Sequence, residues 1–72
     1  MGCVNPDGTL TASATSILST LRKQPCQPDE IATATSLPIF RVRSALRNLS
    51  ELELVVAAEG KYSITDAGRK RL

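Results

Sequence analysis

The sequence has no histidine and no tryptophan, and Phe40 and Tyr62 are its only aromatic residues. Histidine is the side chain that most often transfers protons in enzymes, and no pair of carboxylates falls on one helical face to replace it. A glycine-rich loop of the kind that holds nucleotide phosphates is missing as well. We therefore do not expect an enzyme.

Cysteine is also scarce, with Cys3 and Cys26 as the only two. Two thiols do not complete a zinc site in a chain without histidine unless carboxylates or a second chain supply the other ligands. We expect no metal and no cofactor, and we interpret both cysteines as free thiols in a reducing cytoplasm. A disulfide between them is the less favoured alternative.

Long apolar runs are missing too. No stretch approaches the about 20 apolar residues that a membrane helix requires. The start of the chain lacks a basic segment followed by an apolar one, which would indicate a signal peptide. We expect a cytoplasmic location and no membrane partner, and no small-molecule ligand is evident from the sequence.

What remains is enough for one small domain with an aliphatic core. The chain has 72 residues, of which 42% are hydrophobic, and below about 100 residues there is no room for two independent cores. Its net charge of +2 is weak evidence for a polyanionic partner, but residues 31–50 contain basic residues and no acid. A second basic cluster, Arg69-Lys70-Arg71, closes the sequence. Either cluster could be ordinary solvated surface.

Two helices are predicted before residue 38. The first begins after a cap at Thr11 or Ser13 and runs to about Lys23, because its apolar residues recur at helical spacing. The second opens at Gln27, with proline next to it in the first helical position, and closes at Leu37. The connector, residues 24–27, is a candidate for a short third strand in a later sheet.

A third helix starts at about Pro38 and has two sharply different faces. The predicted buried stripe consists of Val42, Ala45, Leu46, Leu49 and Leu52. The opposite face carries Phe40, Arg41, Arg43, Ser44, Arg47 and Asn48.

A hairpin and a short final helix follow. Residues 54–58 and 61–65 read as two strands around Glu59-Gly60, since Gly60 can take the positive φ that a tight hairpin requires. Thr65 or Asp66 can cap a last helix that ends at Leu72. We divide the chain into an N-terminal arm, residues 1–10, and a domain, residues 11–72. The arm contains the turn sequence Asn5-Pro6-Asp7-Gly8.

Several short stretches between residues 13 and 72 carry a family resemblance at consistent spacing. They are Asp29-Glu30-Ile31-Ala32, Leu37, Val42 through Leu49, Leu52-Glu53-Leu54-Val55, and Tyr62-Ser63-Ile64-Thr65-Asp66-Ala67-Gly68 followed by Leu72. The chain resembles the winged helix-turn-helix domains of bacterial and archaeal transcription regulators, including the multiple-antibiotic-resistance repressor group. Ser36 departs from the pattern, since many relatives have glycine there. The resemblance implies a mainly α fold with a small β-hairpin (α+β), in which a three-helix core carries a two- or three-stranded wing.

The resemblance further implies a small prokaryotic transcription regulator that binds double-stranded DNA with the third helix in the major groove. A homodimer is expected from need, because one helix reads only a few base pairs. The implied contacts are Arg41, Arg43 and Arg47 with guanine edges or phosphates, Ser44 with either, Phe40 with a thymine methyl, and Lys61 with the backbone or minor groove. Burial under the N-terminal arm is an equal alternative for Phe40.

A different function stays open, because winged helices also serve as protein-interaction modules in larger assemblies. Phe40, Ile39 and the modest net charge are compatible with that alternative. A third class of winged helices reads the backbone shape of double-stranded or left-handed nucleic acid. The aromatic-and-proline wing that such proteins usually have is missing here.

Overall fold

A computed structural model describes residues 8–72. Within this range the chain forms three helices, a two-stranded hairpin and a short fourth helix. The elements are α1 (Ala12–Lys23), α2 (Pro28–Thr35), α3 (Ile39–Glu51), β1 (Val55–Ala58), β2 (Lys61–Ile64) and α4 (Asp66–Lys70). The predicted α+β architecture, a three-helix core with a wing, is confirmed.

The predicted N-terminal arm lies mostly outside the described residues, and so do Asn5, Pro6 and Asp7 of its turn. Gly8 has a φ of 92°, a left-handed value that glycine adopts at little cost. Its carbonyl oxygen accepts a hydrogen bond of 3.0 Å from Nη2 of Arg71, which joins the two ends of the described chain. The division into an arm of residues 1–10 and a domain of residues 11–72 stays a prediction.

The first two helices start where the sequence predicted, and α1 uses one of its two predicted caps. Thr11 Oγ1 accepts a hydrogen bond of 3.2 Å from the backbone N–H of Ala14, which satisfies one amide of the first turn of α1. At α2, Glu30 Oε1 accepts a 2.8 Å hydrogen bond from the N–H of Gln27, the residue before the helix. Pro28 then occupies the first helical position, where its missing N–H costs no hydrogen bond.

The turn between α2 and α3 reverses the chain at Ser36. This residue has φ 60° and ψ 27°, a left-handed conformation that is common just after a helix and is usually adopted there by glycine. Pro38 directly precedes α3, so the helix begins one residue later than predicted. The φ of Pro38, −60°, is the value that its ring imposes. The result is a short helix-turn-helix in which α3 lies against α2 and α1.

The core is aliphatic, as predicted. Its completely buried large side chains are Ile17, Leu18, Ile31, Val42, Leu46 and Leu49. One predicted core residue is wrong: Leu52 is 43% exposed. It follows the last residue of α3, and Glu53, with φ 61°, then turns the chain so that Leu54 enters the core at 3% exposure.

The wing is a hairpin with a two-residue turn. Val55 pairs with Ile64 at its base and Ala58 with Lys61 at its tip, one residue short of the predicted outer ends. Glu59 and Gly60 both have positive φ, 52° and 79°, which is the geometry of a type I′ turn. The predicted third strand is reduced to one residue, Cys26, which forms an antiparallel bridge with Tyr62.

The fourth helix is tied to the connection between α3 and β1. Thr65 Oγ1 donates to the carbonyl oxygen of Glu53 at 2.8 Å and accepts from the N–H of Gly68 at 3.1 Å. Gly68 lies so close to this connection that an added Cβ would overlap the carbonyl oxygen of Leu54. The chain ending shared with the resembled superfamily therefore has a structural role, because it holds the base of the wing against the end of α3.

Candidate nucleic-acid interface

The side chains of α3 divide between a buried stripe and an exposed basic face. Val42, Ala45, Leu46 and Leu49 are buried, whereas Arg41, Arg43 and Arg47 are exposed. Within residues 8–72, none of these three guanidinium groups has a hydrogen-bond or ion-pair partner. The helix therefore presents three positive charges that the described part of the chain does not neutralise.

The three arginines do not lie on one line. A residue on an α-helix is rotated by about 100° from the preceding one, so Phe40, Ser44 and Arg47 fall within about 60° of each other. That row lies roughly opposite the buried stripe. Arg41 and Arg43 lie about 160° apart, one on each flank of the row. Reasoning from sequence treated the arginines as one set; the helical rotation separates a central row from two flanks.

Phe40 is the most exposed large apolar side chain of the described residues, at 69%, and its neighbour Ile39 is 37% exposed. Both lie in the first turn of α3. Residues 8–72 thus leave the ring open, and the predicted alternative of burial under the arm concerns residues outside this range. Ser44 is also exposed, one helical turn further along.

Acidic residues occur at the end of α3 and at the tip of the wing. Glu51 lies four residues after Arg47 and ends α3, and no ion pair joins the two side chains. Glu59 lies at the tip of the wing beside Lys61, and both are exposed. A polyanion would therefore meet favourable charge along the first two to three turns of α3 and unfavourable charge at its end.

Lys61, the predicted wing residue, is on a separate element from the other candidates. It opens β2 and pairs with Ala58, at the end of the hairpin far from α3. Along β1 this end lies about 10 Å from Val55. Lys61 is therefore on the wing, separate from the exposed basic face of α3.

Cys26 lies in the connector between α1 and α2 and is buried. Its side chain is 5% exposed, and Sγ contacts the carbonyl oxygen of Gln24 at 3.4 Å. Burial raises the pKa of the Cys26 thiol above its ordinary value of 9.0, and the charge of Glu30 raises this pKa further, while Lys61 acts in the opposite direction. A protonated, covered thiol is a small apolar filler.

In the part of the chain that the structure describes, no three His, Cys, Asp or Glu side chains come together in a group that could hold a metal ion. Over the same range, every helix is too short or too polar to cross a bilayer.

Several known structures superpose on this fold. BpsR of Bordetella bronchiseptica, whose DNA binding is regulated by 6-hydroxynicotinic acid, superposes with a TM-score of 0.80 and 29% identity over 90% of this chain. ZitR of Lactococcus lactis gives a TM-score of 0.77 and 29% identity over 82% of this chain. CalO1, a methyltransferase of calicheamicin biosynthesis, gives 0.69 and 32% identity over 79% of this chain.

These proteins are all longer than the region that matches. The chain covers 51% of BpsR, 44% of ZitR and 17% of CalO1. Among curated protein sequences, none matches the chain. A family model, the DprA winged helix domain, matches residues 5–58, which is more than half of the chain. The predicted resemblance to winged helix domains is therefore confirmed, and the chain belongs to the DprA winged helix domain family.

Proposed function

We propose that this domain binds double-stranded DNA by placing α3 in the major groove. The observation that carries the proposal is the exposed face of α3, where three arginines have no partner within residues 8–72 and residues 31–50 contain no acid. The major groove of B-DNA, about 12 Å wide, admits an α-helix. The DNA binding of BpsR, which has the same fold, supports the proposal.

We propose different roles for these side chains according to their rotation around α3. The central row of Phe40, Ser44 and Arg47 faces the floor of the groove and meets base edges. Arg41 and Arg43 flank the row on opposite sides, where the two phosphate backbones border the groove. A bidentate contact between Arg47 and guanine would contribute about 1–3 kcal/mol of discrimination between bases. Phosphate contacts fix the position of the helix and carry no sequence information.

The wing contributes less in this proposal. Lys61 meets the backbone or the minor groove beside the helix, and the adjacent Glu59 offsets its charge. One helix and one short wing cover only a few base pairs, so the active form is a homodimer on two half-sites. We further propose that the protein is a transcription regulator, located in the cytoplasm of a prokaryote, that acts by occupying a promoter.

The test is a titration of wild-type protein into a labelled random-sequence duplex of about 20 base pairs, two turns of B-DNA. The variant Arg43→Ala/Arg47→Ala removes two positive charges from α3. Its control, Arg22→Ala/Lys23→Ala, removes two from the exposed last turn of α1, so the two variants have the same net charge. We expect the α3 variant to bind much more weakly than the control.

Salt dependence then separates the roles. Arg43→Ala lowers the slope of log K against log salt by about 0.9, the value of one phosphate contact. Arg47→Ala leaves the slope nearly unchanged and reduces discrimination between sequences. If the α3 variant and the α1 control bind equally well, the surface is not the DNA interface and the proposal fails.

A second candidate function is docking onto protein within a larger assembly. Two observations favour it: Phe40 and Ile39 are exposed side by side, and a domain similar to this chain forms part of the CalO1 methyltransferase. The similarity covers 17% of CalO1, so it does not extend methyl transfer to this chain, and we propose a non-catalytic domain. Failure of wild-type protein to bind duplex DNA at low salt would favour docking.

A further inference from the structure

We infer that Phe40 reads the 5-methyl group of thymine and that Arg47 reads a guanine about two to three base pairs away in the same half-site. This inference rests on the proposed function and adds the bases that the central row recognises. The exposure of Phe40 is unusual for a large apolar side chain. Phe40 is 69% exposed and lies in the first turn of α3.

The chemistry of the groove identifies the occupant. Of the four bases, thymine alone presents an apolar group in the major groove, its 5-methyl, and Phe is one of the side chains that contact it. A phenyl ring has neither a hydrogen-bond donor for the acceptors nor an acceptor for the donors of the other base edges. An exposed ring in the row that faces the groove therefore favours thymine over cytosine.

The spacing between the thymine and the guanine follows from the positions of Phe40 and Arg47 on α3. Phe40 and Arg47 are seven residues apart and only about 20° apart in rotation, so both project from the same side of α3. Their Cα atoms are separated by about 10 Å along the helix axis. The 3.4 Å rise of a base-pair step is measured along the duplex axis, and the groove runs obliquely to that axis. An α3 that lies along the groove therefore spans about two to three base-pair steps over this distance. Ser44 lies between them and can accept or donate, so it adds little selectivity of its own.

The probe is a random library of duplexes of about 20 base pairs that is enriched by repeated binding to wild-type protein. We expect the enriched sequences to share a thymine and a guanine about two to three steps apart. Deoxyuridine is then placed at the thymine, which removes the methyl group and leaves base pairing and charge unchanged. Loss of one buried methyl group is expected to weaken binding about fourfold.

Phe40 variants assign this effect to the ring. Phe40→Ala should bind the thymine and deoxyuridine duplexes equally, whereas Phe40→Leu, which keeps an apolar side chain, should retain most of the difference. Since the ring is exposed, both variants should fold, which circular dichroism verifies. Equal binding of the two duplexes by wild-type protein overturns the inference and leaves DNA binding intact.

Persistence of the methyl effect in Phe40→Ala also overturns the inference, because another residue would then read the methyl group. If Phe40 instead contacts a protein partner, wild-type protein should bind the thymine and deoxyuridine duplexes equally. Absence of any enrichment and of any duplex binding would instead remove the proposed function on which the inference rests.

Discussion

Replacing Ser36 with glycine should stabilise the domain. Ser36 directly follows α2 and has φ 60°, a left-handed conformation that costs a residue with a Cβ about 1–2 kcal/mol. Glycine removes this cost but makes the unfolded chain more flexible, which takes back about 0.4–1 kcal/mol. The hydroxyl of Ser36 is exposed and, within residues 8–72, makes no hydrogen bond that would be lost. We therefore expect a net gain of about 0.5–1 kcal/mol in the free energy of unfolding.

The assay is thermal and urea unfolding followed by circular dichroism. For a domain of this size, the expected gain raises the melting temperature by about 3–6 °C. Ser19→Gly is the matched control, because Ser19 is an exposed residue inside α1, where glycine costs roughly 0.5 kcal/mol relative to serine. The same substitution, serine to glycine, should thus raise the free energy of unfolding at position 36 and lower it at position 19. Destabilisation by Ser36→Gly would refute the strained left-handed turn between α2 and α3.

Three other predictions test the wing and its support. Gly68→Ala should lower the urea midpoint by the equivalent of about 1–3 kcal/mol, because its Cβ would overlap the carbonyl oxygen of Leu54; an unchanged midpoint would contradict the close approach. Glu59→Asn should be about 0.5–1 kcal/mol more stable than Glu59→Gln, since asparagine suits the first position of a type I′ turn and both variants lose the same charge; equal melting temperatures would count against that turn. Because the pKa of Cys26 is raised on folding, the unfolded chain releases this thiol proton first, so stability should fall as the pH rises above about 9, and Cys26→Ala should reduce that fall; parallel pH profiles of the two proteins would contradict it.

The helices were predictable from the sequence because their ends carry strong local signals. Thr11 before α1 and Pro28 at the start of α2 satisfy or remove the amides that a helix start leaves unpaired, so periodicity and caps agree on the boundaries. The tip of the wing followed for the same reason, since Gly60 marks a tight turn. Local chemistry was sufficient for these elements.

The features that could not be predicted from the sequence lie at the end of α3 and in the connector before α2. Leu52 continues the helical pattern of α3 in sequence, but the helix ends at Glu51, and a positive φ at Glu53 gives the buried place to Leu54. Glutamate is an unusual residue for that conformation, so no turn signal marked it. The third strand shrank to the single bridge at Cys26, because pairing with β2 depends on tertiary packing that a short connector does not reveal.

The candidate interface was only partly predictable. The identities of the exposed α3 residues followed from helical periodicity, since the same pattern that buries Val42 exposes Arg43. The reach of the wing depends on the hairpin register and on the contacts of Thr65, which bonds to Glu53 twelve residues away. Such a long-range bond leaves no periodic trace in the sequence.

The most direct measurement is an NMR titration of isotope-labelled protein with duplex DNA, in which the backbone amide signals are followed residue by residue. Binding through α3 predicts the largest shifts between Ile39 and Arg47, smaller shifts at Lys61, and little change in α1 or at the buried bridge of Cys26. Shifts concentrated in α1 or α4, with the signals of α3 unmoved at saturating DNA, would contradict a DNA interface on α3.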